Sequence, residues 1–415
     1  MKILYLTLGG TSPPIVRALR EEQPDRAVFF CTDRDLATGV NGSRSQLPEI
    51  YAASGFNAAR AEIVLVPPDN LGECVRLMLN AFSSPMGRES LLQIADYTGG
   101  TKTMASALVL AAFTSPRVSL RVTTGIRHDL TVVQDRSERG FYMSLDRLAF
   151  QSGFQAALLP WRRFAYAESV RLLAPMSLSG LDDHARANHS RALELSRAFA
   201  AWDDFQHDHA HEILSAFRAV VGQELSRHLA ALQSLRARGW SQTPARILDL
   251  WRNAERCAAQ GRYDDALARG YRFLEWIAQW LLEEHFKILT ADVKPDQLPP
   301  DYPVSVQAGK KIQFGLQESW KLLAHLAPSS PAGHWFQQSH KLLLDHLVHR
   351  NQSILAHGFQ PVTAAQWQSL ADLIASRLLP VIVAECERLR GSDRPMMTDW
   401  PQLPDQFIWQ LAASQ

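Results

Sequence analysis

The sequence predicts an α/β N-terminal domain with a doubly wound, Rossmann-like parallel sheet, followed by an all-α C-terminal helical domain. Short apolar runs alternate with helical segments over the first third of the 415 residues, and strand signals end near residue 150. Glycine-bearing loops follow two of the apolar runs. Alternation of strands and helices is typical of a parallel sheet that helices cover on both faces.

Six apolar runs in the first third predict buried strands. They are Lys2–Leu8, Ala27–Cys31, Ile63–Val66, Leu91–Ala95, Val118–Val122 and Leu130–Val133. The intervening segments Leu71–Phe82 and Lys102–Phe113 predict helices. The chain order therefore favours parallel strands that are joined by helical crossovers.

The remaining two thirds of the chain predict helices only. Residues 150–239 are rich in Ala, Leu, Arg and His, and a second set of helices begins at Ile247. Loops at Lys294–Pro303 and Pro328–Gly333 interrupt that second set. We expect four parts: a first domain over 1–145, a helical connector over 146–245, a helical domain over 246–392 and a loosely packed, proline-containing tail over 393–415.

The composition excludes a polybasic nucleic-acid coat. Hydrophobic residues make up 46% and charged residues 20%, and 43 Lys plus Arg against 42 Asp plus Glu give a net charge of +1. Any contact with RNA must therefore come from a local patch or cleft. The balance is that of a globular protein.

The cysteines and the apolar runs predict a cytoplasmic protein. The four cysteines (Cys31, Cys74, Cys257 and Cys386) form no CxxC pair, so we expect buried thiols rather than a disulfide framework or a zinc ribbon. The apolar stretch after Lys2 is too short for a signal peptide. No run approaches the roughly 18 apolar residues that a membrane span needs.

Two loops at strand ends predict a phosphate-rich ligand. Leu8–Pro14 follows the first strand, and Asp96–Met104 follows a later strand and opens into a helix. A helix N-terminus there offers free N–H groups, and Lys102 can neutralise one phosphate. Neither the P-loop pattern nor GxGxxG is present. Ordinary tight turns between strand and helix remain the alternative.

Asp96-Tyr97-Thr98-Gly99-Gly100-Thr101-Lys102-Thr103-Met104 resembles the D-x-T-G-G-T-K-x-M signature of CRISPR-associated Rossmann-fold (CARF) sensor domains. Such domains dimerise and bind cyclic oligoadenylate across the two-fold axis. The resemblance covers about the first 145 residues. It implies the following ligand-binding residues: Gly9, Gly10, Thr11, Ser12, Thr98, Gly99, Gly100, Thr101 and Lys102. Some members also cleave the ring, a step in which Thr11 or Ser12 could assist; the sequence leaves this open.

The segment Leu342–Gly358 predicts one helix with a candidate active site. Its apolar residues, which we expect on the buried side, are Leu343, Leu347, Ile354 and Leu355. Arg350 and His357 fall two turns apart on nearly one line beside that side, with Cα atoms about 10 Å from each other. Asn351 falls within the apolar side, where a polar group needs a partner.

An arginine and a histidine so placed provide what metal-free RNA cleavage requires. Histidine, with an unperturbed pKa of about 6.5, can exchange a proton with the 2′-hydroxyl or the leaving 5′-oxygen. Arginine stays charged and can hold the scissile phosphate. A second copy of the helix from a partner subunit would complete the cleft more easily. The alternative is a pair of solvated groups near a helix end.

Arg350 to His357 also resembles the R-x(4–6)-H motif of HEPN ribonucleases, in which a polar residue such as Asn351 follows the arginine. The predicted helix at Gly261–Glu275 resembles the tyrosine-bearing helix of that family. Its apolar face consists of Tyr263, Leu267, Tyr271, Leu274 and, just beyond, Ile277. The similarity spans about residues 246–390.

The two resemblances together are to the sensor-ribonucleases of type III CRISPR systems. They imply an endoribonuclease for single-stranded RNA in antiviral defence, active as a homodimer, with cyclic oligoadenylate as activator and catalytic residues Arg350, Asn351 and His357. They imply no metal and no other cofactor. The alternative is a non-catalytic sensor or adaptor, or a regulator, whose helical domain binds a partner.

A second cluster lies in the connector. Asp203, His207 and His211 have i, i+4, i+8 spacing, which predicts three possible metal ligands on one helical face. A polar helix surface is the favoured interpretation, because three successive turns rarely converge on one ion without a ligand from elsewhere.

Overall fold

The structure is a computed structural model with two compact units. It describes residues 1–33, 40–115, 117–124, 127–128, 132–133, 139–238, 242–303, 311–352, 354–355, 358–390 and 400–409; the side chains of 127–128, 132–133, 220–221, 242, 344–352 and 390 are outside this description. The first unit comprises Met1–Ser152 with Ser179–Leu181. The second comprises Gly153–Leu178 and the chain from Asp182 onward.

A six-stranded sheet forms the centre of the first unit and confirms the predicted fold class. Its strands are β1 (Lys2–Thr7), β2 (Arg26–Cys31), β3 (Ala61–Leu65), β4 (Leu92–Asp96), β5 (Val118–Thr124) and β8 (Arg139–Met143). Their order is β3-β2-β1-β4-β5-β8, in which the first five strands are parallel and β8 is antiparallel to β5. Two short strands, β6 (Arg127–His128) and β7 (Val132–Val133), pair separately.

Helices cover the two faces of this sheet, because side chains alternate along each buried strand. Ile3 and Tyr5 of β1 pack on one side with helices α3 and α5, and Leu4 and Leu6 pack on the other with α1 and α2. The helices of this unit are α1 (Pro13–Glu22), α2 (Leu47–Ser54), α3 (Leu71–Phe82), α4 (Pro85–Glu89) and α5 (Lys102–Phe113). The bounds of α3 and α5 are those predicted from the sequence.

Two strand predictions need correction at the end of this unit. Of the predicted strand Leu130–Val133, only Val132–Val133 is a strand among the described residues, and it does not join the main sheet. β8 was not predicted. It begins with Arg139 and Gly140 and lies at the sheet edge with its aromatic residues half exposed, so it lacks the buried apolar run on which strand prediction depends.

From Asp146 onward the described residues form helices, with one isolated β-bridge between Val293 and Ile312. The helices are α6 (Asp146–Leu158), α7 (Tyr166–Leu173), α8 (Asp183–Asp203), α9 (His207–Ala216), α10 (Arg218–Val221), α11 (Ser226–Arg236), α12 (Gln242–Ala259), α13 (Tyr263–Phe286), α14 (Leu316–Leu326), α15 (Pro331–Gln352), α16 (Ala364–Leu373) and α17 (Leu379–Arg390). A π-helical turn, Ile374–Leu378, joins the last two.

Helix α13 contains the predicted apolar face. Leu267, Tyr271, Leu274 and Ile277 are all buried. The four cysteines are buried and free, as the sequence predicts. No helix of the described chain is long and apolar enough to cross a membrane.

The described part of the C-terminal segment, residues 400–409, is packed, which corrects the loose packing predicted for this part of the tail. Trp400, Leu403 and Trp409 are buried. Trp409 lies against Trp161 and stacks on Phe199 of α8, with ring centroids 5.9 and 6.0 Å away. The prolines of this segment favour extended backbone but do not prevent its aromatic side chains from filling the core.

We predict that Trp409→Ala destabilises the second unit by about 3 kcal/mol, because truncation of a buried aromatic side chain leaves a cavity. The neighbouring Ile408→Ala is the matched control, since Ile408 is 54% exposed. All 11 tryptophans lie after residue 160, so urea unfolding followed by tryptophan fluorescence reports this unit. Equal stability of the two variants would contradict the packing.

Candidate functional site

The two predicted ligand loops lie side by side at the carboxyl edge of the sheet. β1 and β4 are neighbours, with Leu6 opposite Asp96. The chain continues from β1 to β2 on one side and from β4 to β5 on the other. The crevice between such strands is where open α/β sheets bind ligands.

Glycines allow the two loops to approach each other. A Cβ atom on Gly9 would lie 2.7 Å from the backbone N of Gly100, and one on Gly99 would lie 2.3 Å from the carbonyl oxygen of Thr7. Gly100 has φ of +89°, a conformation that favours glycine. The hydroxyl of Thr7 donates to the carbonyl of Gly99 at 2.7 Å. Gly10, by contrast, faces open space.

The hydroxyls of the second loop have structural partners. Thr101 caps α5 by accepting from Met104 N at 3.2 Å and donates to Pro68 O at 2.9 Å. Thr98 accepts from the backbone N of Thr123 at 2.6 Å. These two oxygens therefore hold the loop in place.

The groups that remain available are those at the rim. Gly10, Thr11 and Lys102 are exposed, and Ser12 donates a long hydrogen bond of 3.4 Å to Glu49. Neither α1 nor α5 has an acidic residue in its first turn. Both helix N-termini thus retain their partial positive charge, which suits an anionic ligand.

A buried hydrogen-bonded ring below the loop fixes Thr98. Asp96 accepts from Thr98 N at 2.9 Å and from the guanidinium of Arg121. The same guanidinium donates to the hydroxyl of Thr123 at 2.9 Å. The backbone N of Thr123 donates to the hydroxyl of Thr98, which completes the ring. Arg121 is 1% exposed. The sequence contains one sign of this ring, a lone arginine within a predicted buried strand. A buried arginine of this kind requires a buried carboxylate as its partner.

Charges around Arg121 stabilise its ionised form. Burial disfavours that charge, but Asp96 and the carboxylates of α1 outweigh it and raise the pKa of the guanidinium. Burial also opposes ionisation of Glu22, but hydrogen bonds from Lys2 and Tyr142 and the charge of Arg121 lower its pKa overall. The ion pair between Arg121 and Glu22, 3.1 Å long, holds α1 against β5.

The predicted nuclease residues fall at the edge of the described chain. Arg350 and Asn351 belong to α15, but their side chains lie outside the described residues, as does the whole of His357. The prediction of one helix through Gly358 is wrong, because α15 ends at Gln352. Asparagine and serine at 351 and 353 compete for backbone hydrogen bonds and favour helix ends, which the apolar periodicity did not reveal.

The prediction that one side of that helix is buried is confirmed at one position and wrong at two. Leu343 is buried. Ile354 and Leu355 form a turn and are each 55% exposed, where burial was expected. Leu347 lies outside the described side chains. Two apolar residues within the motif are therefore exposed, where the prediction placed them on the core.

The cluster of the connector does not lie on one helical face. α8 ends at Asp203 and α9 begins at His207, and between them Phe205 has φ of +59°. The turn breaks the spacing on which the prediction depended.

Each member of that cluster has its own partner. Asp203 accepts from Arg256 at 2.6 Å. His207 pairs with the buried Asp249 at 3.0 Å. His211 contacts Arg236, which lies 2.8 Å away. Among the described residues no group of three or more His, Cys, Asp or Glu could hold a metal ion.

Comparison with known proteins agrees with both halves of the chain. Residues 236–379 match the family model described as the Csm6 HEPN domain. In fold the chain is similar to Enterococcus italicus Csm6 bound to cyclic hexa-2′-fluoro-hexa-dAMP, with 13% identity, a TM-score of 0.58 and coverage of 96% of this chain and 98% of that one. No curated protein matches the sequence. The predicted resemblance to a HEPN domain is confirmed over residues 236–379, and the similarity in fold extends over nearly the whole chain.

We predict that Gly99→Ala loosens the paired loops, because its Cβ has no room beside Thr7 O. Overpacking of this kind costs about 1–3 kcal/mol. Amide hydrogen exchange of β1 and β4 should accelerate about tenfold or more. Gly10→Ala, with no atom within 4 Å of the added Cβ, should leave the exchange unchanged. Similar protection in the two variants would refute the role of the contact.

Proposed function

We propose that this protein is an endoribonuclease for single-stranded RNA that cyclic oligoadenylate activates in type III CRISPR defence, that needs no metal, and that acts as a homodimer. The observation that carries the proposal is the match of residues 236–379 to the Csm6 HEPN domain, because this segment contains the R-x(6)-H motif of Arg350 and His357. The sensor loops supply a site for the activator.

The chemistry is a transfer of the RNA phosphodiester to its own 2′-hydroxyl. His357 takes the proton of that hydroxyl or protonates the leaving 5′-oxygen, while the 2′-oxygen forms a bond to phosphorus and the bond to the 5′-oxygen breaks. Arg350 holds the phosphate as charge builds on its oxygens. Asn351 can donate a further hydrogen bond.

The activator site is the crevice between the two loops. A ring of adenylates carries one negative charge per phosphate, and the crevice offers two helix N-termini without an acidic residue in the first turn, with the exposed Lys102 at one of them. Gly10 leaves room for close approach of a ligand. The similar fold of a Csm6 with a bound cyclic hexanucleotide analogue supports this assignment.

If the sensor also cleaves its activator, Thr11 is the better-placed hydroxyl. Thr11 is exposed at the rim of the crevice, whereas the hydroxyl of Ser12 is directed to Glu49. This secondary activity would limit the duration of the response.

Exposed apolar residues on both sides of the histidine support a homodimer. Ile354 and Leu355 precede it, and Phe359, which is 94% exposed, follows it. Exposed apolar patches of this kind favour burial against another protein surface. A second copy would cover them and bring a second arginine and histidine to the same cleft. Activation then requires that the ligand bind the active arrangement more tightly than the inactive one.

We predict that His357→Ala abolishes RNA cleavage and leaves the affinity for cyclic oligoadenylate unchanged. The assay uses a fluorescent single-stranded RNA with cyclic tri-, tetra- and hexa-adenylate, in EDTA and then with divalent metal. His340→Ala, at an exposed histidine of α15, is the control and should retain the parental rate.

Three outcomes would count against the proposal. Cleavage by His357→Ala at the parental rate would exclude the histidine mechanism. Activity that appears only with metal would exclude the metal-free one. Binding of the ring without cleavage of any RNA by the unaltered protein would favour the non-catalytic sensor or adaptor instead.

We predict that Phe359→Ser weakens self-association and RNA cleavage together, each about tenfold or more, because burial of a Phe side chain contributes roughly 1.5–3 kcal/mol. Sedimentation equilibrium and the cleavage assay measure the two effects. Leu289→Ser, at another exposed apolar residue, should change neither. A Phe359→Ser protein that dimerises and cleaves normally would remove this surface from the interface.

A further inference from the structure

The chain that follows the R-x(6)-H motif is attached to helix α13. We refer to residues Gly358–Val362 as the strap. At its end the backbone N of Val362 donates to Oδ2 of Asp264, 3.1 Å away. Asp264 is the second residue of α13. The strap therefore ends at a carboxylate from a part of the chain 98 residues earlier.

The residues after the strap are also fixed. Thr363 and Gln366 form a capping box at the start of α16. Trp367 stacks on Trp251 of α12, with ring centroids 5.6 Å apart. Further along, α16 lies so close to α13 that a Cβ on Gly270 would be 3.0 Å from Leu370. Helix α16 is therefore held in place by its neighbours. The hydrogen bond to Asp264 fixes the end of the strap just before this helix begins.

The second oxygen of Asp264 has unused acceptor capacity. Oδ1 is buried and has no hydrogen-bond partner among the described residues. A buried carboxylate oxygen without a donor is costly. An arginine or histidine donor of the nuclease site would satisfy it.

The neighbouring carboxylate behaves differently. Asp265 forms ion pairs with Arg262 at 3.0 Å and Arg269 at 3.4 Å, both on or next to the same helix. Such pairs are ordinary for a solvent-facing helix surface. No ion pair with Asp264 is seen among the described residues, and its contact is with the strap.

We propose that Asp264 is a positioning residue of the nuclease site, which acts by anchoring the strap that begins one residue after His357. This inference rests on the proposed function. Four residues separate Val362 from His357, so the anchor limits the conformations open to the histidine. An enzyme gains rate when its catalytic group is held in the productive geometry before the substrate arrives.

The experiment compares three variants in the full-length protein, with RNA cleavage measured at saturating cyclic oligoadenylate. Asp264→Ala should lower kcat about tenfold or more and change KM less than threefold, because the anchor orders the catalytic group and does not bind the RNA. Asp264→Asn should recover most of kcat, since an amide oxygen still accepts from Val362 N. Asp265→Ala, in the same turn of α13, should cleave like the parent.

Thermal unfolding shows whether each variant is folded at the assay temperature. If Asp264→Ala is not folded at that temperature, the experiment uses Asp264→Ser instead. Serine is well tolerated in a first helical turn but is too short to keep the hydrogen bond to Val362. An Asp264→Ala rate equal to that of the parent, with His357→Ala inactive, overturns the inference alone. So does an Asp264→Asn variant as impaired as Asp264→Ala. An inactive parent protein overturns the proposed function and the inference with it.

Discussion

The contact between two glycine loops is the constraint on which the first unit depends. Gly9 meets the backbone of Gly100, and Gly99 meets the carbonyl of Thr7, at distances that leave no room for a side chain. The N-termini of α1 and α5 follow the neighbouring strands β1 and β4, and this contact holds the loops before them together. The glycines therefore serve the packing of the two loops, and the helix ends beside them would suit an anionic ligand.

What the sequence predicts well is what periodicity and buried apolar runs encode. α5 has the predicted bounds because an apolar helix follows a strand and a capping threonine, Thr101. β8 was missed because an edge strand needs no buried run. The end of α15 was misplaced because Ile354 and Leu355 continue the helical spacing although they are exposed. Spacing alone does not show what covers an apolar residue.

The candidate site shows the same difference between what the sequence predicts and what it does not. Short motifs predicted two loops that the structure places side by side, because the carboxyl ends of neighbouring strands meet at one edge. The support below them was harder to predict, since Arg121 and Asp96 are 25 residues apart and belong to different strands. Asp264 shows the same limit: its link to Val362 spans 98 residues and follows no local pattern. Partners that lie far apart in the chain become visible only in the folded structure.

The second unit joins the connector to the helices of the predicted nuclease through buried polar contacts. Asp249 of α12 accepts from Trp202 of α8 at 2.8 Å and pairs with His207 of α9. Arg256 of α12 bridges Asp203 and, at 2.8 Å, Gln402 of the C-terminal segment. Because buried charges of this kind are costly to separate, α8, α9 and α12 should move as one body. Helix α13, which carries Asp264, packs on α12, so the same contacts link the connector helices to the anchor of the strap.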